Sequence, residues 1–128
     1  MNELTVEWVT KAEGDHATAG RELRVEDQPN FDAVCFHAQQ TAEKYLKAFL
    51  QENATRFPKT HSLIELLELC LPLDDTLEGF RSDLIRLGRY AVHYRYPGET
   101  ANKTEAQMAY EAATIIRAAL RAKLKGKG

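Results

Sequence analysis

The chain has 128 residues, of which 44% are hydrophobic and 28% are charged, and its formal net charge is -2 at pH 7. This length and balance predict one soluble domain with a single core and exclude a long disordered segment. The slightly negative total charge also excludes a protein that coats nucleic acid with its whole surface.

The cysteines and the N-terminal segment indicate the compartment. Cys35 and Cys70 each lie in an apolar helical pattern, so we interpret them as reduced core thiols rather than as a disulfide framework. Residues 1–13 mix charges with apolar residues and lack the apolar run of a signal peptide. No segment has the length of a membrane span. We therefore expect a cytoplasmic protein that does not bind membranes.

The first two helices are predicted from apolar spacing. Helix one is expected over residues 4–24, and a polar turn over residues 25–30 follows it. Asn30 is the expected N-cap of helix two, which is predicted over residues 31–52. One stripe of helix two carries small residues early and bulky residues late: Ala38, Ala42, Tyr45, Leu46 and Phe49. Another helix is expected to approach closely at its alanine end.

Helix two also has an unusual polar flank. Gln39 and Gln40 lie near the small residues, where their amides can reach a neighbouring helix or a second subunit. The alternative is that both are simply good helix formers. We assign Lys44 and Lys47 to the solvated face, with Glu43 and Lys47 at a favourable i, i+4 spacing.

A loop over residues 53–60 precedes the short, strongly apolar helix three. Ser62 and Glu65 have the spacing of a capping box, and the helix is expected to end at Pro72. We interpret His61, which lies just before the cap, as a structural residue that hydrogen-bonds the loop.

Helices four and five complete the predicted chain. Asp74 and Asp75 are expected to open helix four, because acidic residues suit the positive end of a helix dipole. Thr104 and Gln107 have the spacing of a capping box for helix five. The basic tail over residues 121–128 is expected either to fray or to touch nucleic acid, and its terminal position favours fraying.

No stretch shows the alternation of a strand, so we predict an all-α fold, an antiparallel four- to five-helix up-and-down bundle. One domain is expected over residues 1–128. The chain has no glycine-rich phosphate loop after a strand, no histidine pair with zinc spacing and no acidic cluster typical of a magnesium site. The expected chemistry therefore needs no metal and no cofactor.

The stretch LIRLGRYAVHYRYPG, residues 84–98, is the candidate functional segment. Arg86 and His93 are seven positions apart and return to nearly the same helix face, roughly 10 Å apart along the axis. Arg89 lies one turn before His93 on that side. A guanidinium binds phosphate through two parallel hydrogen bonds and an imidazole exchanges a proton near neutral pH, so this set suits phosphodiester chemistry.

A structural interpretation of the same residues stays open. Arg86 and Arg89 would pair with carboxylates of a neighbouring helix, and His93 would be stabilised as a cation at a helix end. Spacing alone favours this second interpretation, because arginine and histidine often share a helix face.

The chain resembles the HEPN family of small helical-bundle proteins in prokaryotes. The resemblance lies in the N-terminal segment EWVTKAEGDHATA and in FHAQQTAEKYLKAFL, KTHSLIELL and RYAVHYRYPGE. Many members carry an arginine, then four to six residues, then a polar residue and a histidine, which line a cleft between two subunits. Those members are metal-independent ribonucleases, often toxins paired with a minimal nucleotidyltransferase.

The resemblance implies roles for particular residues. Arg86, six residues and then His93 fit the spacing of the family motif. His93 is then expected to move a proton while the RNA 2′-hydroxyl attacks the adjacent phosphate, and Arg86 to stabilise the charged phosphorane, which leaves a 2′,3′-cyclic phosphate. The implied protein is a homodimer and the toxin half of a toxin-antitoxin pair.

The sequence also departs from the family motif. Val92 precedes His93 where a polar residue is usual, and Arg95 replaces the tyrosine that often lies two residues after the histidine. Tyr94 and Tyr96 flank that position. These departures favour an alternative function, a non-catalytic module that binds a nucleotide or a partner protein in the same cleft. Its expected nucleotide-binding or phosphate-binding residues are Arg89, Arg95, Tyr94 and Tyr96.

Overall fold

The computed structural model describes residues 1–93 and 96–127, without the side chains of residues 91–93 and 127. In this part of the chain there are five α helices, one 3₁₀ helix and no strand, which confirms the predicted all-α fold. The α helices are α1 (Glu3–Leu23), α2 (Phe31–Glu52), α3 (Leu63–Cys70), α4 (Arg81–His93) and α5 (Lys103–Lys127). The 3₁₀ helix covers Asp75–Phe80.

Helix α2 is the centre of the bundle and packs against each of the other four α helices. The whole predicted stripe of α2 is buried, because each of its five residues is at most 2% exposed. Alanines at positions 38 and 42 let neighbouring backbones approach closely, whereas the larger residues from position 45 onward fill the space between helices. Helices α1 and α5 are the most extensive packing partners of α2.

Contacts between side chains and backbone groups of different helices show the relative directions of α1, α2 and α5. Glu52 accepts from the backbone N–H of Asn2, and Glu22 accepts from the backbone N–H of Asn30, so α1 and α2 are antiparallel. His16 on α1 is 2.8 Å from the hydroxyl of Thr114 on α5. Since Glu13 meets later α5 residues than His16 does, α5 is antiparallel to α1 and parallel to α2.

Two helix starts differ from the sequence prediction. The cap of α5 lies two residues before its predicted position: Asn102 accepts from the backbone N–H of Glu105, whose carboxylate accepts from the backbone N–H of Asn102. Asn102 therefore forms the reciprocal box that the sequence pattern predicts for Thr104 and Gln107. The segment opened by Asp74 is a 3₁₀ helix before α4, and the Asp74 carboxylate caps it by accepting from the backbone N–H of Thr76.

Both cysteines lie in the core, as predicted. Cys35 and Cys70 are free thiols with no exposed surface, and burial raises the pKa of each to about 12. The thiolate, which is the reactive form, is therefore scarce and shielded. We expect neither thiol to react with an aromatic disulfide reagent at mildly alkaline pH until the protein is unfolded. Rapid labelling of the native protein, followed by mass spectrometry, would contradict this expectation.

A cluster around Glu13 joins α1, α2 and α5. Its carboxylate accepts from Tyr45 at 2.8 Å, from Arg117 at 2.5 and 2.7 Å and from Arg121 at 2.6 Å. The hydrogen bonds from Arg117 outweigh the opposing effect of burial and, with Tyr45 and Arg121, lower the pKa of Glu13 from 4.5 to about 2. The ionised carboxylate thus fixes three helices together.

The Glu13 cluster predicts a loss of stability in acid. A carboxylate with a lowered pKa in the folded state contributes stability above its unfolded pKa and loses it as pH falls through the folded value. The stability advantage of wild type over Glu13→Gln should therefore fall, by on the order of 2 kcal/mol, between pH 4.5 and about pH 2. Urea unfolding at several pH values measures this difference. A constant difference would exclude an ionised, stabilising Glu13.

Candidate functional site

Helix α4 presents a cationic outer face. Leu84 and Leu87 turn inward and are 1% and 0% exposed, so the helix places Arg86 and Arg89 on its solvent side, where both are exposed. His93 is the last residue of α4, which places it on the same helix as Arg86. Because the two residues are seven positions apart, their backbones are about 10 Å apart along the axis.

Arg86 already has a partner. Its Nη2 donates to Asp83 Oδ1 at 2.5 Å, and the two side chains are 47% and 26% exposed. The ion-pair interpretation of Arg86 is therefore correct in kind, but the carboxylate comes from the preceding turn of the same helix. An exposed pair of this kind typically contributes at most about 1 kcal/mol, so a phosphate can replace Asp83 at low energetic cost.

Among the other predicted site residues, the structure describes the side chains of Arg89 and Tyr96. Arg89 forms no ion pair with any residue that the structure describes, so its guanidinium is available to an anion. Tyr96 is 67% exposed. The side chains of His93, Tyr94 and Arg95 lie outside the described residues. The structure therefore brings Arg86 and Arg89 to one surface, while the placement of the His93 side chain stays a prediction.

An open pocket of about 460 Å³ adjoins this cationic face. It lies between the start of α3 and the middle of α4, and Ile85, which is 40% exposed, forms part of its wall. On a helical wheel Arg89 is about 40° from Ile85, so it lies one turn along α4 from that wall, although it is not itself a lining residue. The lining residues are His61, Ser62, Leu63, Ile64, Leu84, Ile85 and Gly88.

Beside the pocket, α2 carries a buried ion pair that overturns one sequence expectation. The sequence pattern predicts Lys47 on the solvated face, yet it is only 6% exposed and Glu43 only 2%. The Lys47 Nζ donates to Glu43 at 3.0 Å and lies 5.3 Å from the centroid of the Trp8 ring. Trp8 of α1 covers this part of α2 and removes Lys47 from water. The predicted i, i+4 spacing is correct, but the pair lies inside the protein.

Glu43 also has hydrogen bonds with three other side chains, those of Gln39, Gln40 and His61. Gln39 Nε2 donates to Glu43 at 3.2 Å and to the backbone carbonyl of His61 at 3.3 Å, so its amide reaches the loop before α3 and not a neighbouring helix. Gln40 donates mainly to Gln39, at 2.7 Å. The imidazole Nδ1 of His61 is 3.2 Å from both carboxylate oxygens of Glu43. His61 therefore bonds to α2, not to the loop that the sequence suggested.

This arrangement fixes the proton on His61. Burial tends to raise the pKa of Glu43, but hydrogen bonds from Lys47, Gln39 and His61 outweigh it and lower that pKa. An ionised carboxylate only accepts hydrogen bonds, so the Nδ1 of His61 carries the hydrogen. In the neutral ring, Nε2 is then an acceptor. The His61 side chain is 83% exposed although Glu43 beneath it is buried, so this acceptor is presented at the surface.

Neither a metal site nor a membrane span occurs in the described part of the chain. Its side chains contain no group of three or more histidine, cysteine or acidic residues arranged to hold a metal ion. Among the helices of residues 1–93 and 96–127, none combines the length and apolar character needed to cross a bilayer.

Similarity to known proteins is found at the levels of family and structure. The family model of the HEPN domain matches residues 5–123. ST0689, an archaeal HEPN homologue, has a similar crystal structure with a TM-score of 0.73 at 20% identity, over 97% of this chain and 99% of that one. TT1696 from Thermus thermophilus is similar with a TM-score of 0.75 at 26% identity, over 96% and 99%. No curated protein gave a match. Because the family model spans nearly the whole chain, this protein belongs to the HEPN domain family.

Proposed function

We propose that this HEPN protein is a metal-independent endoribonuclease whose site is the outer face of α4. The observation that carries the proposal is the exposed position of Arg86 on the helix that ends at His93, with the arginine-to-histidine spacing of the family motif. Arg89 adds a guanidinium with no ion pair among the described residues on the same side. Two or more arginines on one helix face supply the phosphate contacts that RNA binding needs, even in a chain of net charge -2.

The proposed reaction uses two side chains. His93 removes the proton of the RNA 2′-hydroxyl, and the 2′-oxygen forms a bond to the adjacent phosphorus. The bond from phosphorus to the 5′-oxygen breaks, and the departing oxygen takes up a proton from water. Arg86 exchanges Asp83 for the phosphate and neutralises the charge that grows on the phosphorane. The products are a 2′,3′-cyclic phosphate end and a 5′-hydroxyl end.

The proposed assembly is a homodimer that acts in the cytoplasm as the toxin of a toxin-antitoxin pair. Its support is family membership, since HEPN proteins often work with a minimal nucleotidyltransferase. A two-fold axis beside α4 would place both cationic faces in one cleft and double the number of phosphate contacts. Sedimentation of the purified protein, and growth after expression with and without a neighbouring nucleotidyltransferase gene, test this assembly.

A second function, non-catalytic binding of a nucleotide or partner protein, is favoured by one observation. Arg86 is held by Asp83, whereas Arg89 is unpaired among the described residues and Tyr96 is largely exposed. Binding would then depend on Arg89, Tyr94, Arg95 and Tyr96. Val92, in place of a polar residue before His93, suits this function because binding does not require the full motif.

Cleavage of an end-labelled RNA in excess chelator separates the two functions. A ribonuclease should produce fragments with 2′,3′-cyclic phosphate ends, identified by their resistance to phosphatase until acid opens the ring. Absence of cleavage at high protein concentration, together with retention of a labelled nucleotide, would support the binding module instead.

A further inference from the structure

His61 and Glu43 form a pair in which one side chain is exposed to solvent and the other is buried. The imidazole is 83% exposed, yet its Nδ1 contacts a carboxylate that is 3% exposed and is also bonded to Lys47 and Gln39. The stability of the fold does not require a surface histidine to be bonded to a buried carboxylate. The contact holds the ring in one orientation and fixes its tautomer, which is how proteins prepare a histidine to meet a ligand.

The oriented ring forms one side of the pocket between α3 and α4. Across that pocket lie Ile85 and Gly88, and at Gly88 no side chain occupies the space. Ile64 and Ile85 offer apolar surface that suits the face of a planar ring. Arg89 follows Gly88 on α4 and has no ion pair among the described residues, so its guanidinium is available to the phosphate of a ligand that enters the pocket.

We propose that this pocket binds one ribonucleotide, whose 2′-hydroxyl donates a hydrogen bond to Nε2 of His61 and whose phosphate contacts Arg89. The base then lies against Ile64 and Ile85. A hydroxyl is the matching group because Nε2 of this tautomer accepts and does not donate. The 2′-hydroxyl is also the group that distinguishes RNA from DNA. The inference rests on the proposed function only in taking RNA as the ligand, and it holds whether or not the strand is cleaved.

Titration with uridine 3′-monophosphate and with its 2′-deoxy counterpart, followed by NMR, tests the pocket. Neither nucleotide has a phosphodiester bond to cleave, so binding is measured alone. We expect the ribonucleotide to bind about fivefold more tightly, the effect of one hydrogen bond, and to shift the resonances of His61, Ile64 and Ile85. Long-range ¹H–¹⁵N spectra of the free protein should show His61 with its hydrogen on Nδ1.

The variant His61→Ala removes the acceptor from an exposed position and keeps the backbone carbonyl that Gln39 uses. It should bind both nucleotides equally, with the affinity of wild type for the deoxy form. His37→Ala is the matched control: His37 pairs with Asp15 through Nδ1 at 2.7 Å but does not line the pocket, so the ribose preference should persist. Arg89→Ala should weaken the binding of both nucleotides. Arg56→Ala, at an exposed site outside the pocket, should leave their binding unchanged.

The possible failures are distinguishable. Equal affinity of wild type for the two nucleotides, or an unchanged preference in His61→Ala, overturns the pocket assignment even if the protein cleaves RNA. Ribose-selective binding lost in His61→Ala, without RNA cleavage, supports the pocket and removes only the catalytic part of the proposed function. Absence of nucleotide-induced shifts at the pocket residues overturns the inference.

Discussion

Replacement of Arg86 or His93 by alanine is expected to slow RNA cleavage by about 10²- to 10⁴-fold, the usual effect of removing a general base or a charge-stabilising group. The loss should appear mainly in kcat, because both groups act most strongly when charge develops on the phosphorane. Initial rates with a labelled oligoribonucleotide in chelator measure it. Arg56→Ala, an exposed arginine on another surface, should cleave at the wild-type rate.

Asp83→Ala provides the sharper comparison. The variant frees the guanidinium of Arg86 from its carboxylate partner, so we expect cleavage at least as fast as in wild type and tighter RNA binding. If Arg86 served only to pair with Asp83 on the helix surface, then Asp83→Ala and Arg86→Ala would have the same small effect on stability and none on cleavage. Equal rates in wild type and in Arg86→Ala would therefore remove Arg86 from the site.

Helix α2 shows what the sequence reveals about the fold. Its predicted bounds match those observed, and Asn30 caps it by accepting from the backbone N–H of Ala33. This succeeded because the apolar stripe and the cap are both local patterns. The predicted cap of α5 was wrong because Asn102 and Thr104 each begin a pattern of the right spacing. Only the observed backbone shows that Asn102 is the cap.

The burial of Lys47 was missed for a different reason. Local sequence assigns a lysine at i+4 from a glutamate to a solvated face, and nothing within α2 shows that Trp8 of another helix covers it. One signal was available: Gln39, Glu43 and Lys47 recur every four residues directly beside the stripe that contains Ala38 and Ala42. A polar row that close to a core stripe indicates partly buried polar groups.

Local sequence patterns also predicted one part of the candidate site and missed another. Helical periodicity places Arg86 and Arg89 on the outer face of α4, and the structure agrees. The pair between Arg86 and Asp83 follows from i, i+3 spacing, although the sequence interpretation sought its partner on another helix. The contact between Glu43 and His61 joins residues 18 positions apart across a loop, so it depends on how α3 packs and no local pattern reveals it.

Lys47→Ala is expected to lower the free energy of unfolding by about 3–5 kcal/mol, because it leaves the Glu43 carboxylate buried without its cation. The side chain also loses its contact with Trp8. Urea unfolding followed by circular dichroism measures the change. Lys11→Ala is the matched control, since Lys11 is exposed, and it should change stability by less than about 0.5 kcal/mol.

A double variant separates the charge from the packing. Glu43→Leu combined with Lys47→Met replaces the buried pair by apolar groups of similar volume, so it should recover most of the stability that Lys47→Ala loses. The deficit of Lys47→Ala should also shrink in acid, because protonation of Glu43 removes the unpaired charge. If the deficit were independent of pH and persisted in the double variant, lost packing against Trp8 would be its cause. In that case Lys47 would not stabilise the charge of Glu43, the carboxylate that orients His61.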